Sequence, residues 1–121
     1  MTNSNAFLTL IKTAVKAEVV AQCTYAAVGS GTATAAASDT ALGSEVDRNA
    51  RQEYVSGNDS VIISGYWNSL EANGYDISEV GLSNGSTSAT DTLTRAVFTG
   101  IEKNSSTELW IDVEEQTNVT Q

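Results

Sequence analysis

The sequence predicts a mainly-β fold, a single-domain, jelly-roll-like β-sandwich over residues 1–121 with one N-terminal amphipathic helix. Short runs alternating apolar and polar residues are separated by turn signals roughly every ten residues, the spacing of an all-β domain. Only one segment has helical periodicity. Hydrophobic residues make up 40% and charged residues 17%, a globular rather than disordered balance.

The helix is expected over residues 5–20, where Phe7, Leu8, Ile11, Val15 and Val19 form one stripe. Ser4 or Asn5 can cap its first turn. The stripe is expected to dock on a sheet or a neighbouring subunit. "CTYAAV" (residues 23–28) reads as a strand closed by the glycines of "GSG". In the loop that follows, Asp39 is placed to cap one short helical turn. Residues 44–55 alternate as one half-exposed strand, with Val46, Arg48, Ala50 and Tyr54 on one face. "SGND" is a turn. "SVIISGYW" (60–67) is apolar on both faces, as a central or interface strand would be. "DISEVGL" (76–82) puts Val80 and Leu82 in the core and Glu79 opposite. "SNGSTSATD" is a polar loop, "TLTRAVFT" (92–99) a strand, and "TELWIDVEE" (107–115) the last one. "QTNVTQ" reads as a free tail.

The net charge of −9 comes from six Lys and Arg against fifteen Asp and Glu. Nucleic-acid binding needs a basic stripe, and an anionic membrane would repel this chain. Neither partner is expected. A single cysteine, Cys23, rules out an intrachain disulfide and reads as a buried, inert thiol. The N-terminal residues lack a basic region followed by an apolar run, so synthesis in a cytosol is expected.

The chain has no histidine, which removes Ser-His-Asp and Cys-His nucleophilic systems and the usual nitrogen ligand of zinc. "AVGSGTAT" lacks the lysine of a phosphate loop and the third glycine of a dinucleotide fingerprint. "EANGYDISEVGLSNG" (71–85) fits no EF-hand register, because Tyr75 and Asp76 fall where an oxygen ligand and a glycine are needed. Asp76 and Glu79 diverge on a strand, as do Glu114 and Glu115, so carboxylate-pair hydrolysis is a weak alternative. No catalytic residue, metal ligand or cofactor is assigned. Trp110 shares a strand face with Glu108 and Asp112, which calls for a cover: the helix, a second subunit or a sugar. Tyr66, Trp67 and Tyr75 read as core aromatics before a stacking platform. Arg48 is expected to point inward and to pair with Glu79, since a buried guanidinium needs a carboxylate.

Three segments, "AVGSGTATAAASDTALGSEVDR" (27–48), "EANGYDISEVGLSNG" (71–85) and "LTRAVFTGIEKNSSTELWIDV" (93–113), carry a further signal in their order and spacing. Together they resemble a family of small tail-fibre or tail-associated structural proteins of tailed phages and prophages. The resemblance covers about residues 26–114. It implies a non-enzymatic virion protein that assembles with other virion proteins and with copies of itself. On that reading Phe7, Leu8, Ile11, Val15 and Trp110 are candidate interface residues. The protein is then a tail, baseplate or fibre-attachment component made in the host cytoplasm. The alternatives are a capsid-surface decoration or head spike, and a glycan-binding module that contacts host sugars through its aromatics.

Overall fold

A computed structural model describes residues 5–86 and 92–117, with side chains from Thr9 onward. It contains one helix, α1 (Asn5–Gln22), and seven strands: β1 (Tyr25–Gly29), β2 (Glu45–Ala50), β3 (Glu53–Ser56), β4 (Ser60–Trp67), β5 (Tyr75–Ser83), β6 (Thr92–Lys103) and β7 (Leu109–Gln116). They form a four-stranded sheet in the order β2-β1-β5-β6 and a three-stranded sheet in the order β3-β4-β7. Neighbours within each sheet run antiparallel. This is the β-sandwich with one leading helix that the alternation predicts.

Strand parity explains the core. Ala26 and Val28 on β1 stand opposite Leu82 and Val80 on β5, and their side chains point to one face of the four-stranded sheet. Val61, Ile63 and Trp67 on β4 occupy one face of the other sheet, with Leu109 on β7 paired to Trp67. These residues and Ile77 are buried together in one apolar cluster.

The segment expected as one strand over 44–55 is two. β2 ends at Ala50, and the chain passes at Arg51 and Gln52 into β3 of the opposite sheet, where the Gln52 amide donates to the Ser64 carbonyl at 2.7 Å. A chain that switches sheets makes a corner of the sandwich. Arg51 is used at that corner. Its Nη1 donates to the carbonyl oxygens of Val20 and of Cys23, the latter at 3.2 Å. The helix has no basic residue in its last turn, so Arg51 supplies from a distance the positive charge its C-terminus favours.

The helix is rolled relative to its predicted stripe. Val19 and Val20 pack on the core cluster and Ile11 is half-buried, while Val15 is exposed. Lys12 reaches Asp59 at 2.6 Å and Lys16 donates to the Gly57 carbonyl at 2.9 Å, so both lysines clamp the helix to the β3–β4 turn. The side chains of Phe7 and Leu8, the Ser4 cap, and residues 87–91 of the polar loop lie outside the described residues. β6 runs four residues beyond its expected end at Thr99. The first two residues of the expected free tail are held in the fold, and residues 118–121 lie outside the described residues. Gln116 completes β7, and buried Thr117 donates its amide to the Asp59 carbonyl at 2.7 Å.

Candidate interaction face

Glu79 shows first what the buried charges do. It is fully buried on the side of β5 that faces away from the core cluster. Its Oε1 accepts from the Gly43 amide (2.8 Å) and Arg95 Nε (2.8 Å), and its Oε2 from the amides of Gly31 (2.7 Å) and Ser44 (2.8 Å). Arg95 Nη1 meets Asp39 Oδ2 at 3.0 Å and Nη2 donates to the Ala33 carbonyl at 2.9 Å. Asp39 Oδ2 also closes a turn by accepting the Ala36 amide at 2.8 Å. It does not cap a helix. Glu79 and Arg95 therefore tie the 30–44 loop over the outer face of the four-stranded sheet, and Leu42 from that loop sits on Gly81. The glycines of "VGSG" matter for space here. A Cβ at Gly29 or Gly31 would lie 2.5 Å from Glu79 Oε2. Burial pushes the Glu79 carboxyl up, but the three amides and Arg95 outweigh it and hold it below the ordinary glutamate range.

The Arg48–Glu79 pair is not formed. Arg48 is buried as expected, but its Nη2 meets Glu45 Oε1 at 2.8 Å and its Nη1 donates to Ser83 Oγ and the Gly85 carbonyl. The sheet order explains the difference. Arg48 on β2 is separated from β5 by β1, whereas Arg95 on β6 is the direct neighbour of β5 and stands one same-face position from Glu79. Lys103, also buried, donates from Nζ to Asn73 Oδ1 at 2.7 Å and to the Asn104 carbonyl at 3.2 Å. Cys23 is buried, and desolvation first, then the Glu115 charge, pushes its thiol up to about 11, which keeps it protonated at neutral pH.

A cavity of about 200 Å³ lies between the end of the helix and strands β6 and β7, lined by Val19, Cys23, Leu93, Thr94 and Glu115. Burial raises the Glu115 carboxyl, opposed by a hydrogen bond from Thr94. An acid whose folded value is raised lowers stability once it ionises. The penalty is absent below the unfolded value, ordinarily 4.5, and complete above the folded one. Glu115→Gln is therefore expected to raise the melting temperature at pH 7 and to raise it less at pH 4, as scanning calorimetry at the two pH values would read.

The outer face of the three-stranded sheet carries the exposed aromatics. Leu109, Ile111 and Val113 turn inward, and Trp110 turns outward with Asp112, as the alternation of "LWIDV" predicts. Trp110 is 48% exposed. It pairs across the ladder with Tyr66, ring centroids 6.0 Å apart and planes at 55°. Its indole Nε1 donates to Asp112 Oδ1 at 2.7 Å, and Ser64 Oγ donates to the same oxygen at 2.6 Å. One row along, Glu53, Ser64 and Asp112 stand opposite one another across the three strands, and Val55, Ile62 and Glu114 form the next row. Val55 is 55% exposed. The Tyr66 hydroxyl is pushed up by burial, by its hydrogen bond to Glu108 and by the charges of Glu108 and Glu71, so the field here is negative.

Trp67 of the anticipated aromatic set is core, and Tyr75 is exposed on β5 in the other sheet. Asp76 is exposed and Glu79 buried, which separates that carboxylate pair. The Glu79–Arg95–Asp39 cluster was not visible in the sequence, since alternation shows which side a residue takes and not what covers it. Comparison with family models, curated proteins and solved structures returns no match.

Proposed function

We propose that this protein is a non-enzymatic structural component of a tailed-virus particle, at the tail, baseplate or fibre attachment. The observation that carries the reading is the half-exposed Trp110, paired with Tyr66 on an outward sheet face whose opposite side already forms a complete core. A large indole left at the surface of a fold that does not need it for packing is what an assembly contact requires. The ordered resemblance of residues 26–114 to phage tail-associated proteins supports the same reading. Leu10, exposed on the helix, offers a second apolar contact at which copies of the chain can meet.

A cryo-electron-microscopy map of the particle tests the proposal. The expected result is density for this sandwich at the tail. Density on the head surface would move it to decoration or spike, and absence of the chain from purified particles by mass spectrometry would remove the virion reading. Trp110→Ala is expected to cost only about 1 kcal/mol of stability, from the lost Tyr66 ring pair and Asp112 hydrogen bond, while reducing incorporation into particles. A collapse of the melting temperature would instead make Trp110 a packing residue.

A further inference from the structure

We propose that the outer face of the three-stranded sheet docks a cationic protein segment, one that lays Lys or Arg side chains over Trp110 and Tyr66 and against the carboxylates of Asp112, Glu53 and Glu114. The inference rests on reading this face as an interface, and it holds wherever the assembly is located.

Charge complementarity carries it. Strands β3, β4 and β7 contain no Lys or Arg. All six basic residues of the chain are committed elsewhere: Lys12 and Lys16 to the β3–β4 turn, Arg48 to Glu45, Arg51 to the helix C-terminus, Arg95 to Glu79 and Asp39, and Lys103 to Asn73. Among the described residues, no Lys or Arg is paired with Glu53, Asp112 or Glu114. A second copy cannot supply one either. Face to face, two copies would set carboxylate against carboxylate, and no other surface of the chain has an uncommitted basic side chain to offer. The occupant is therefore a different, basic chain.

The geometry suits such a side chain. Asp112 is held by two short hydrogen bonds, both to Oδ1, so Oδ2 meets no donor among the described residues and is available beside the exposed indole. A guanidinium over the ring face gains a cation–π contact, and a planar fork can bind the adjacent carboxylate. Its aliphatic stem can lie along Ile62 and Val55. A bare metal ion suits the face less well. No group of three or more carboxylate or thiol ligands is assembled among the described residues.

The test is nuclear magnetic resonance titration of the labelled full-length protein with a capped hexapeptide of alternating Arg and Gly. The same titration is run with calcium chloride alone and with a neutral oligosaccharide. Expected are saturable shifts at the Trp110 indole and at residues 53, 64 and 112. Affinity should fall at least tenfold in Trp110→Ala and in Asp112→Asn, and be unchanged in Asp76→Asn, an acid on the other sheet. Trp110→Phe should retain part of it. Shifts spread evenly over the acidic surface, equal affinity in Trp110→Ala, or saturation by calcium or sugar in place of the peptide would overturn the proposal. The outcome separates from the virion reading. Peptide binding by a protein missing from particles sinks only that reading, while a particle map with this face open to solvent sinks only the present one.

Discussion

Glu79→Ala is expected to destabilise the protein by about 3–5 kcal/mol, the range for removing one partner of a buried ion pair, and to lower the melting temperature by about 10–20 °C for a domain of this size. The substitution leaves the Arg95 guanidinium, whose side chain is only 4% exposed, with Asp39 as its remaining acidic partner. It also strips the acceptor from the amides of Gly31, Gly43 and Ser44. Glu79→Gln keeps the volume but turns an NH₂ group toward donors, so a loss of the same sign and smaller size is expected. Asp39→Asn acts on a half-exposed partner and should have much the smallest effect. Because these contacts tie down the 30–44 loop, the Ala variant should be cut by protease within that loop under conditions where the parent chain is intact. Chemical denaturation of the three variants together with limited proteolysis would check both. A Glu79→Ala protein as stable as the parent would mean that the loop is held by something other than this carboxylate.

The same cluster sets an acid limit. A carboxyl held below its unfolded value contributes stability that is fully present above that value, ordinarily 4.5 for glutamate. As pH falls from there through the lower folded value, the unfolded chain binds a proton that the folded chain resists, and the contribution is lost. Asp39, lowered first by the Ala36 amide and then by Arg95, acts in the same direction. Glu115 acts oppositely. The loss of stability on acidification should therefore be shallower in Glu79→Ala than in the parent.

These effects show where the sequence was readable. β4 was read to the residue, and the two faces of β7 and the opposition of Glu79 to Val80 and Leu82 on β5 were assigned correctly, because burial on one face imposes a period of two. The register shift between Ile77 and Glu79, which lets Ile77 join the core, breaks that period and leaves no trace in it. Trp110 stood out for the same reason: parity put it among acids. The alternation of Glu79 was also right, yet its meaning was missed. A polar residue opposite a core face reads as solvated, and here a long loop brings its own backbone donors to cover it. Arg51 was hidden for a related reason. It sits at a corner, and its partners are carbonyl oxygens, which leave no trace in residue type. The Arg48–Glu79 pairing failed on topology. Opposite sign carries no information about strand order, and only the order β2-β1-β5-β6, with β1 between β2 and β5, shows that Arg95 is the neighbour.

Gly65→Ala is expected to cost about 1–3 kcal/mol, the usual range for overfilling a packed core, and Gly65→Val more. Gly65 lies on β4 between Ile63 and Trp67 on the inward face, where the Trp67 ring folds back across it. A Cβ there would lie 2.7 and 2.8 Å from two ring carbons of Trp67 and 2.9 Å from Ala26 Cβ of the opposite sheet. Contacts that short force something to move. The indole is rigid and fully buried, and Ala26 is fixed in the centre of its own sheet, so the strain falls on the separation of the two sheets. Trp67→Leu removes the ring and leaves a cavity, and by itself should destabilise by about 2–4 kcal/mol. In the double variant the added methyl occupies space the ring has vacated. The combined loss should then be smaller than the sum of the two single losses by about 1 kcal/mol or more, as expected for residues in direct contact. Denaturant melts of the four proteins give the coupling directly. Strict additivity would show that the ring does not lie over Gly65, and that the sheets are spaced by other residues.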